Sequence, residues 1–437
     1  MKKSLSIFVV FILAAAAFGN GVSLNSPGTR AISMAGAYIS HTDDYSTPYW
    51  NPAGLMNVEG AQLSFFLTDL IPMATYKNQN AATGIDIDAT AVTNHYLAPN
   101  LSFLWTCKLY EKMHMGLSVI VPAGLGVEWE GEEFVTMGGP QQIPGPVNNN
   151  FYGNVYDWES SIAVLDISLS LAHKIGNKMN IGAGFHLLNG SMSLKRGWSA
   201  VSNFDPTFQS PDEGYLDSQY EEESDGWGYG LSLGLQYSLT EKLNFGAAMR
   251  TKMTVGFSGD AKVTNDILGS LADYSFDRDV SWPMWIGGGF SYQFSEKFLL
   301  ALEGTWSQWS ETEDYLFAKH DGVEDTLTLL WDDALQIRLG GEYWLTERWA
   351  MRAGFYIDPA PGPAKTQTIL IPQADYNVIT GGIGYKLEKW SFDFALEYLF
   401  GEDVEVTEDE VLEGVGMVGT HGINILVPSF AVTYKFK

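Results

Sequence analysis

Cysteine is almost missing. Cys107 is the only one in 437 residues, so the chain can form no intramolecular disulfide and no multi-cysteine metal site. Basic residues are scarce too, with 25 Lys and Arg against 52 Asp and Glu, a formal charge of −27. Such a chain lacks the clustered positive charge that nucleic-acid recognition requires. Charged residues of both signs make up only 18%, below the roughly 25% usual in soluble domains. Past residue 20 no apolar run reaches the roughly 18 residues of a membrane-crossing helix. Glycine (46) and aromatics (14 Trp, 21 Tyr, 24 Phe) are abundant instead, which excludes acidic disorder. The length suggests two or three soluble domains, unless the strands are strung into one large barrel.

The two ends favour the barrel. Met1-Lys2-Lys3, the apolar run Leu5 to Ala17 and the small residues Ala14-Ala15-Ala16-Ala17-Phe18-Gly19 read as a secretory signal peptide over 1–19. The mature chain then begins near residues 18 to 21. At the other end Phe430, Val432, Tyr434 and Phe436 alternate with Ser429, Ala431, Thr433 and Lys435. This resembles the closing strand of bacterial outer-membrane barrels, except that Lys437 follows the last aromatic.

Between the ends, apolar residues alternate with small or polar ones, the pattern of a strand facing lipid on one side and a lumen on the other. Trp227, Tyr229, Leu231, Leu233, Leu235, Tyr237 and Leu239 form one such face, and Trp390, Phe392, Phe394, Leu396, Tyr398 and Phe400 another. Trp282, Met284, Ile286, Phe290, Tyr292 and Phe294 suggest a third. Six short turns recur, at Glu111-Lys112, Asn177-Lys178, Glu241-Lys242, Glu296-Lys297, Glu347-Arg348 and Glu388-Lys389. Six hairpins, a first strand near Ala61 to Leu70 and a last near Leu426 to Phe436 give fourteen strands. Long loops fall at 71–92, 127–160, 199–225, 260–281, 311–333, 359–375 and 401–423. A secreted β-sandwich would also alternate, but it has no need of Trp and Tyr at strand ends, where they match interfacial girdles. The expected fold is all-β: a 14-stranded antiparallel transmembrane β-barrel over 61–437, with 20–60 left over as a tail or a plug.

Residues 20–60 are rich in Gly, Ala, Ser and Asn, and contain Gly28-Thr29-Arg30-Ala31, Gly36-Ala37, Asp43-Asp44 and Trp50-Asn51-Pro52-Ala53-Gly54-Leu55. This segment resembles the N-terminal hatch of the FadL family of outer-membrane transporters of long-chain fatty acids and hydrocarbons. The likeness continues at Pro99-Asn100 and at Pro122-Ala123-Gly124-Leu125. By itself Asn51-Pro52 reads as a turn, with Pro52 biasing Asn51 away from helix. The resemblance implies that Asn51, Pro52 and Ala53 hold a hatch against the barrel wall.

Pro122 interrupts the strand Met115, Leu117, Val119, Val121, and with Gly124 nearby the pairing should break or bend. An innocuous bulge would read the same. The resemblance implies that Pro122, Ala123 and Gly124 form an inward kink, a lateral exit for substrate into the bilayer. In the fourth loop Ile267, Leu268, Leu271 and Tyr274 fall on one face of a short helix capped by Asn265 or Asp266. The family reading makes this face, with Phe204 and Phe208 of the third loop, a groove for first capture. It also brings the mature N-terminus, around Val22-Ser23-Leu24, to an inner site and makes its displacement the trigger of release.

Arg250, Glu303, Arg338, Glu342, Arg352, Lys386, Asp393, Glu397 and Lys435 occupy inward positions, and most should be paired or solvated. One or two of the cations, Arg338 and Arg352 among them, are candidates to hold a substrate carboxylate through the guanidinium fork. No catalytic residues, metal or cofactor are expected. The seven histidines are scattered and no Gly-x-Ser-x-Gly motif accompanies His186, so an outer-membrane hydrolase is disfavoured. The rivals are a general diffusion porin, an aromatic-hydrocarbon channel and a loop-based adhesin. The expected partners are long-chain fatty acids or other hydrophobic small molecules, outer-membrane lipids and lipopolysaccharide, around a monomeric barrel in a Gram-negative outer membrane. Acids gathered at Glu221-Glu222-Glu223 and Glu408-Asp409-Glu410 imply divalent cations bridging loops to lipopolysaccharide.

Overall fold

The computed structural model describes residues 21, 23–80, 85–107, 113–134, 157–199, 217–265, 269–312, 315–320, 323–412 and 415–436. The alternating segments pair as antiparallel strands in sequence order. These are β1 (Gln62–Asn80), β2 (Ile85–Thr90, resuming as Tyr96–Thr106), β3 (Met113–Trp129), β4 (Trp158–Ile175), β5 (Met179–Ser199) and β6 (Asp217–Ser238). Then follow β7 (Leu243–Arg250 and Met253–Asn265), β8 (Gly269–Trp282 and Trp285–Ser295), β9 (Phe298–Ser307) and β10 (Ala334–Trp344). The last four are β11 (Trp349–Asp358), β12 (Tyr376–Lys386), β13 (Trp390–Gly401, then Val404–Val406) and β14 (Gly419–Lys435). β1 pairs with β14 from Gln62↔Lys435 to Lys77↔Thr420, which closes a 14-strand barrel. No described helix is long and apolar enough to cross a membrane.

Alternation separates the two faces as lipid requires. On β6, Tyr229 is 74% exposed and Leu231 53%, whereas Ser232 between them and Leu233 is 2% exposed and points into the lumen. Several turns expected between charged pairs are observed, including the one between β4 and β5 around Gly176, whose φ of 61° suits glycine.

Three expectations change. The described residues of 260–281 are strand and not loop or helix, because Met253–Asn265 and Gly269–Trp282 pair as antiparallel strands, with Gly269 at φ 75°. The reason is period: Val255, Phe257, Ala261 and Val263 are buried at two-residue spacing, and Met253–Asn265 also pairs with β6. That ladder outweighs a four-position helical pattern. Second, Trp282 is buried while Ile286 faces outward, because β8 breaks at Pro283-Met284 and the alternation restarts in a new phase. Third, β1 extends to Asn80 and pairs with Ile85–Thr90, so most of the expected first loop is also strand.

Inside the barrel lie the helical turns α1 (Thr29–Ser33) and α2 (Thr47–Trp50) and a 3₁₀ turn at Pro52–Asn57. Lumen glycines make room for this chain. A Cβ on Gly234 would stand 2.0 Å from Asn51 Oδ1, and one on Gly340 would stand 2.2 Å from the Met34 carbonyl oxygen. Much of the small-residue face is therefore a contact surface for the N-terminal segment and not an aqueous wall.

Candidate functional site

The site begins where the wall fails. β2 and β3 pair from Thr106↔His114 to Leu101↔Val119 and no further, although both strands continue. Toward β4 the register of β3 also shifts between Ile120 and Ala123, around Pro122. A proline that cannot donate removes one rung, and the neighbouring donor must be satisfied elsewhere. Val121 N–H donates to the Asn100 side-chain oxygen at 2.7 Å, so Asn100 replaces the missing ladder. Contact between the strands resumes at Val92 N–H to the Glu128 carbonyl, 2.8 Å. The result is a gap in the wall between Asn100 and Val92 on one side and Val121 and Glu128 on the other.

The N-terminal segment lies against this gap, with Leu24 N–H donating to the Pro122 carbonyl at 2.8 Å. Cavities flank it on two sides. One is lined by Leu24, Leu70, Asn100, Val121, Leu399 and Val427 among others, together with Asp358 and Glu397. The other contains Pro122, Val164, Leu188, Trp282, Trp309 and Met253, together with Arg250 and Arg338. Ser23 and Asn25 line both.

Further along, the segment is tied to the wall by buried charge. Arg30 makes a two-pronged bond to Glu342 at 2.9 and 3.0 Å, and also pairs with Asp43. Glu342 accepts from Arg352 Nε at 2.6 Å, and Arg352 reaches Asp393 at 2.7 Å. Glu303 accepts from the backbone N–H groups of Ile39 and Ser40, at 2.7 and 2.8 Å. Asn51 donates to the Ile39 and Leu235 carbonyls at 2.9 and 3.0 Å and accepts from Ala53 N–H at 3.1 Å. Within the segment, outside the spanning strands, burial pushes the Asp44 carboxyl up to about 6, against the pull of Arg30.

The residues singled out from the sequence fall in different places. Leu24, Pro122, Ala123 and Gly124 meet at the gap or beside it, and Asn51, Pro52 and Ala53 pack against Gly182 and Gly234 of the wall. Arg338 lines the second cavity but gives its donors to the Asn25 and Ala35 carbonyls, Ser26 and Gln336. Arg352 is engaged by Glu342 and Asp393. Val22, Phe204, Phe208, Ile267 and Leu268 lie outside the described residues, and Leu271 and Tyr274 belong to the backbone of β8.

Sequence reasoning missed Arg250 as a site residue. Its guanidinium stacks on Tyr49 at 4.1 Å, approaches Asp166 at 3.5 Å, and its buried Nε has no partner. The indole N–H groups of Trp282 and Trp309 in the same cavity are also unpartnered. Only an inward phase for Arg250, one step before the break in β7, hinted at this. The sequence also hid the partners of His186, which bonds Asp166 at 2.8 Å and Ser232 at 2.8 Å. All three are almost fully buried and none lines either cavity, so they form a wall network across β4, β5 and β6.

Fold and site together define an outer-membrane β-barrel transporter with its own N-terminal segment bonded to the wall inside the lumen. The chain belongs to the outer membrane protein transport protein family (OMPP1/FadL/TodX), whose model matches residues 10–436. It is 24% identical to the long-chain fatty acid transport protein of Escherichia coli O6:H1, over 93% of each chain. A Pseudomonas aeruginosa FadL homologue shares the fold at TM-score 0.76 and 19% identity, covering 95% of this chain and 100% of that one. The P. putida toluene transporter TodX does so at TM-score 0.74 and 18% identity, covering 94% and 99%.

Proposed function

We propose that the protein takes up long-chain fatty acids or similar hydrophobic compounds passively, with residues 20–60 as hatch and the β2–β3 gap as the exit into the bilayer. The interrupted ladder at Asn100 and Val121, directly beside a cavity, carries this reading. An aqueous porin needs an open lumen, whereas here Arg30, Glu303 and Asn51 fix chain across it. Burying an acyl chain yields about 0.8 kcal/mol per methylene, on the order of 10 kcal/mol in all, so an enclosed site would release slowly. Release without an energy source needs a movement that opens the site. The Leu24 to Pro122 bond ties the mature N-terminus to the kink and is the contact whose loss would open it.

An aromatic-hydrocarbon channel is the second reading, favoured by the mostly apolar lining of the first cavity and by the relative named as a toluene transporter. In both readings one chain forms the whole barrel, because β1 and β14 close it, and a monomer remains part of the proposal. First capture stays assigned to Phe204, Phe208, Ile267, Leu268, Leu271 and Tyr274 as residues of the extracellular side, now without the helical face that grouped the last four, since Gly269–Trp282 is strand. Divalent cations bridging Glu221 and Glu223 to lipopolysaccharide remain part of the proposal, and a chelator that leaves thermal stability unchanged would count against them. The test of transport is uptake of labelled long-chain fatty acid and of toluene by cells making the protein. Pro122→Ala and Gly124→Val should each lower the protein-dependent rate at least threefold. Uptake equal to that of cells without the protein would sink the reading.

A further inference from the structure

Three cavities reach one short edge of β3. The first touches it at Val121, the second at Pro122, and a third, uncharged one at Gly126 and Val127. This is the edge that has lost its backbone pairing to β2. Two polar contacts bound the opening. At one end Asn100 accepts the Val121 N–H at 2.7 Å, and at the other Asn94 donates to Glu128 Oε2 at 2.6 Å, beside the Val92 bond to the Glu128 carbonyl. Between these ends Leu97 of β2 faces outward, 61% exposed, and its neighbours on the opposite face are the small Ala98 and the large Tyr96. The Tyr96 ring lies across the opening against Gly126, because a methyl group on Gly126 would stand 2.7 Å from Cε1, Cζ and the hydroxyl oxygen of that ring. The ring also packs on the cluster of Leu24, Leu70 and Ala98, two of which line the first cavity, and its hydroxyl bonds to the Asn94 side chain. With no ladder in this stretch, a side chain and not the backbone closes the wall. Side chains turn about their torsions far faster than paired elements part, so such a closure opens without breaking strands.

We infer that Tyr96 is the shutter of the wall gap and Gly126 its seat. The inference rests on the transport reading above and adds to it the residue that controls the exit. While the ring lies on Gly126 the opening is filled, and cargo passes when the ring turns off that seat. Glycine is needed at 126 because any side chain there would occupy the place of the ring. Since the edge is shared by all three cavities, this control does not depend on which of them holds the cargo, nor on the charge that the cargo carries.

The experiment measures initial uptake of labelled hexadecanoate and of labelled toluene by cells making the full-length protein, minus uptake by cells without it. For each compound that the wild type takes up, Tyr96→Ala should raise the rate at least threefold. Tyr96→Phe keeps the ring and should stay within twofold of wild type. Gly126→Ala pushes the ring off its seat and should raise the rate at least twofold. In a Tyr96→Ala background the same Gly126→Ala change should do nothing, because no ring is left for the methyl group to displace, and a purely structural role for either residue would not produce that coupling. Folded barrel is scored by its heat-modifiable gel mobility, and if Tyr96→Ala does not fold, Gly126→Ala decides alone. A rate at or below wild type in either folded alanine variant overturns the inference and leaves transport intact. So does a Tyr96→Phe protein as fast as Tyr96→Ala, or a Gly126→Ala effect that persists without the ring. No wild-type uptake of either compound overturns the transport reading itself.

Discussion

Glycine and buried charge decide how the N-terminal segment sits. Gly234 lies under Asn51, and a methyl group there would stand 2.0 Å from the Asn51 side-chain oxygen. Gly234→Ala should therefore loosen the segment without harming the strand, seen as faster hydrogen exchange of residues 36–55 with unchanged barrel exchange. Asp44 gives the segment a pH dependence of known sign. Ser46 donates to one carboxylate oxygen at 2.9 and 2.8 Å, while the other is buried without a partner. Its carboxyl is pushed up from 3.8 to about 6, so the seated form binds more protons than the released form between those values. Seating is thus firmest below pH 4 and weakens as pH rises through 6, by on the order of 3 kcal/mol. Asp44→Asn should remove this slope and slow exchange of the segment at pH 7, and a slope unchanged in Asp44→Asn would refute the assignment.

At the scale of elements, β3 is the strand that departs from the rule. Its lower half pairs on both sides, and above Val119 it keeps β4 but loses β2. Asn100 makes that loss tolerable by accepting the Val121 N–H, a part-buried donor that would otherwise cost up to about 1–3 kcal/mol. Asn100→Leu should destabilise the gap edge by that amount, lowering the temperature at which the folded barrel converts to its unfolded gel mobility. The β7–β8 hairpin beyond Arg250 teaches a related lesson. Breaks at Thr251-Lys252 and Pro283-Met284 reset the alternation, so Trp282 turns inward to the cavity that Arg250 lines.

The whole molecule is a closed sheet with its N-terminal segment lying in the lumen, and the proposed role of that segment as a plug is tested at this scale. Removing residues 20–50 deletes Arg30, Asn51's partner Ile39 and the two N–H groups held by Glu303, and leaves the lumen glycines facing water. Small hydrophilic solutes should then pass, and liposome swelling with arabinose should rise at least fivefold over the intact protein. Swelling that stays at the intact level would mean that the segment does not block the lumen. The charge of −27 also takes on a distribution at this scale. Glu342, Asp393 and Glu303 are consumed inside by arginines and backbone donors. Much of the remaining acidity lies on the extended strands and loops, as at Glu221, Glu223 and Asp260.

The strand pattern, five of the six turn positions and the membrane setting were readable from the residues, because alternation and turn chemistry are local and repeat every few positions. The same locality misled at 269–274, within a segment where four residues suggested a helix and a thirteen-residue ladder on the preceding strand prevailed. What only the tertiary structure decided is who meets whom across the lumen. Arg30 and Glu342 are 312 positions apart, and nothing in either neighbourhood names the other. Arg338 and Arg352 were candidates to hold a carboxylate, and barrel closure gave both of them partners, while Arg250 and Arg338 each keep one unpartnered Nε beside the second cavity. The scarcity of bases in the sequence limits how the lumen can be charged. Register and closure, which no local period encodes, determine where an uncompensated charge finally faces a cavity.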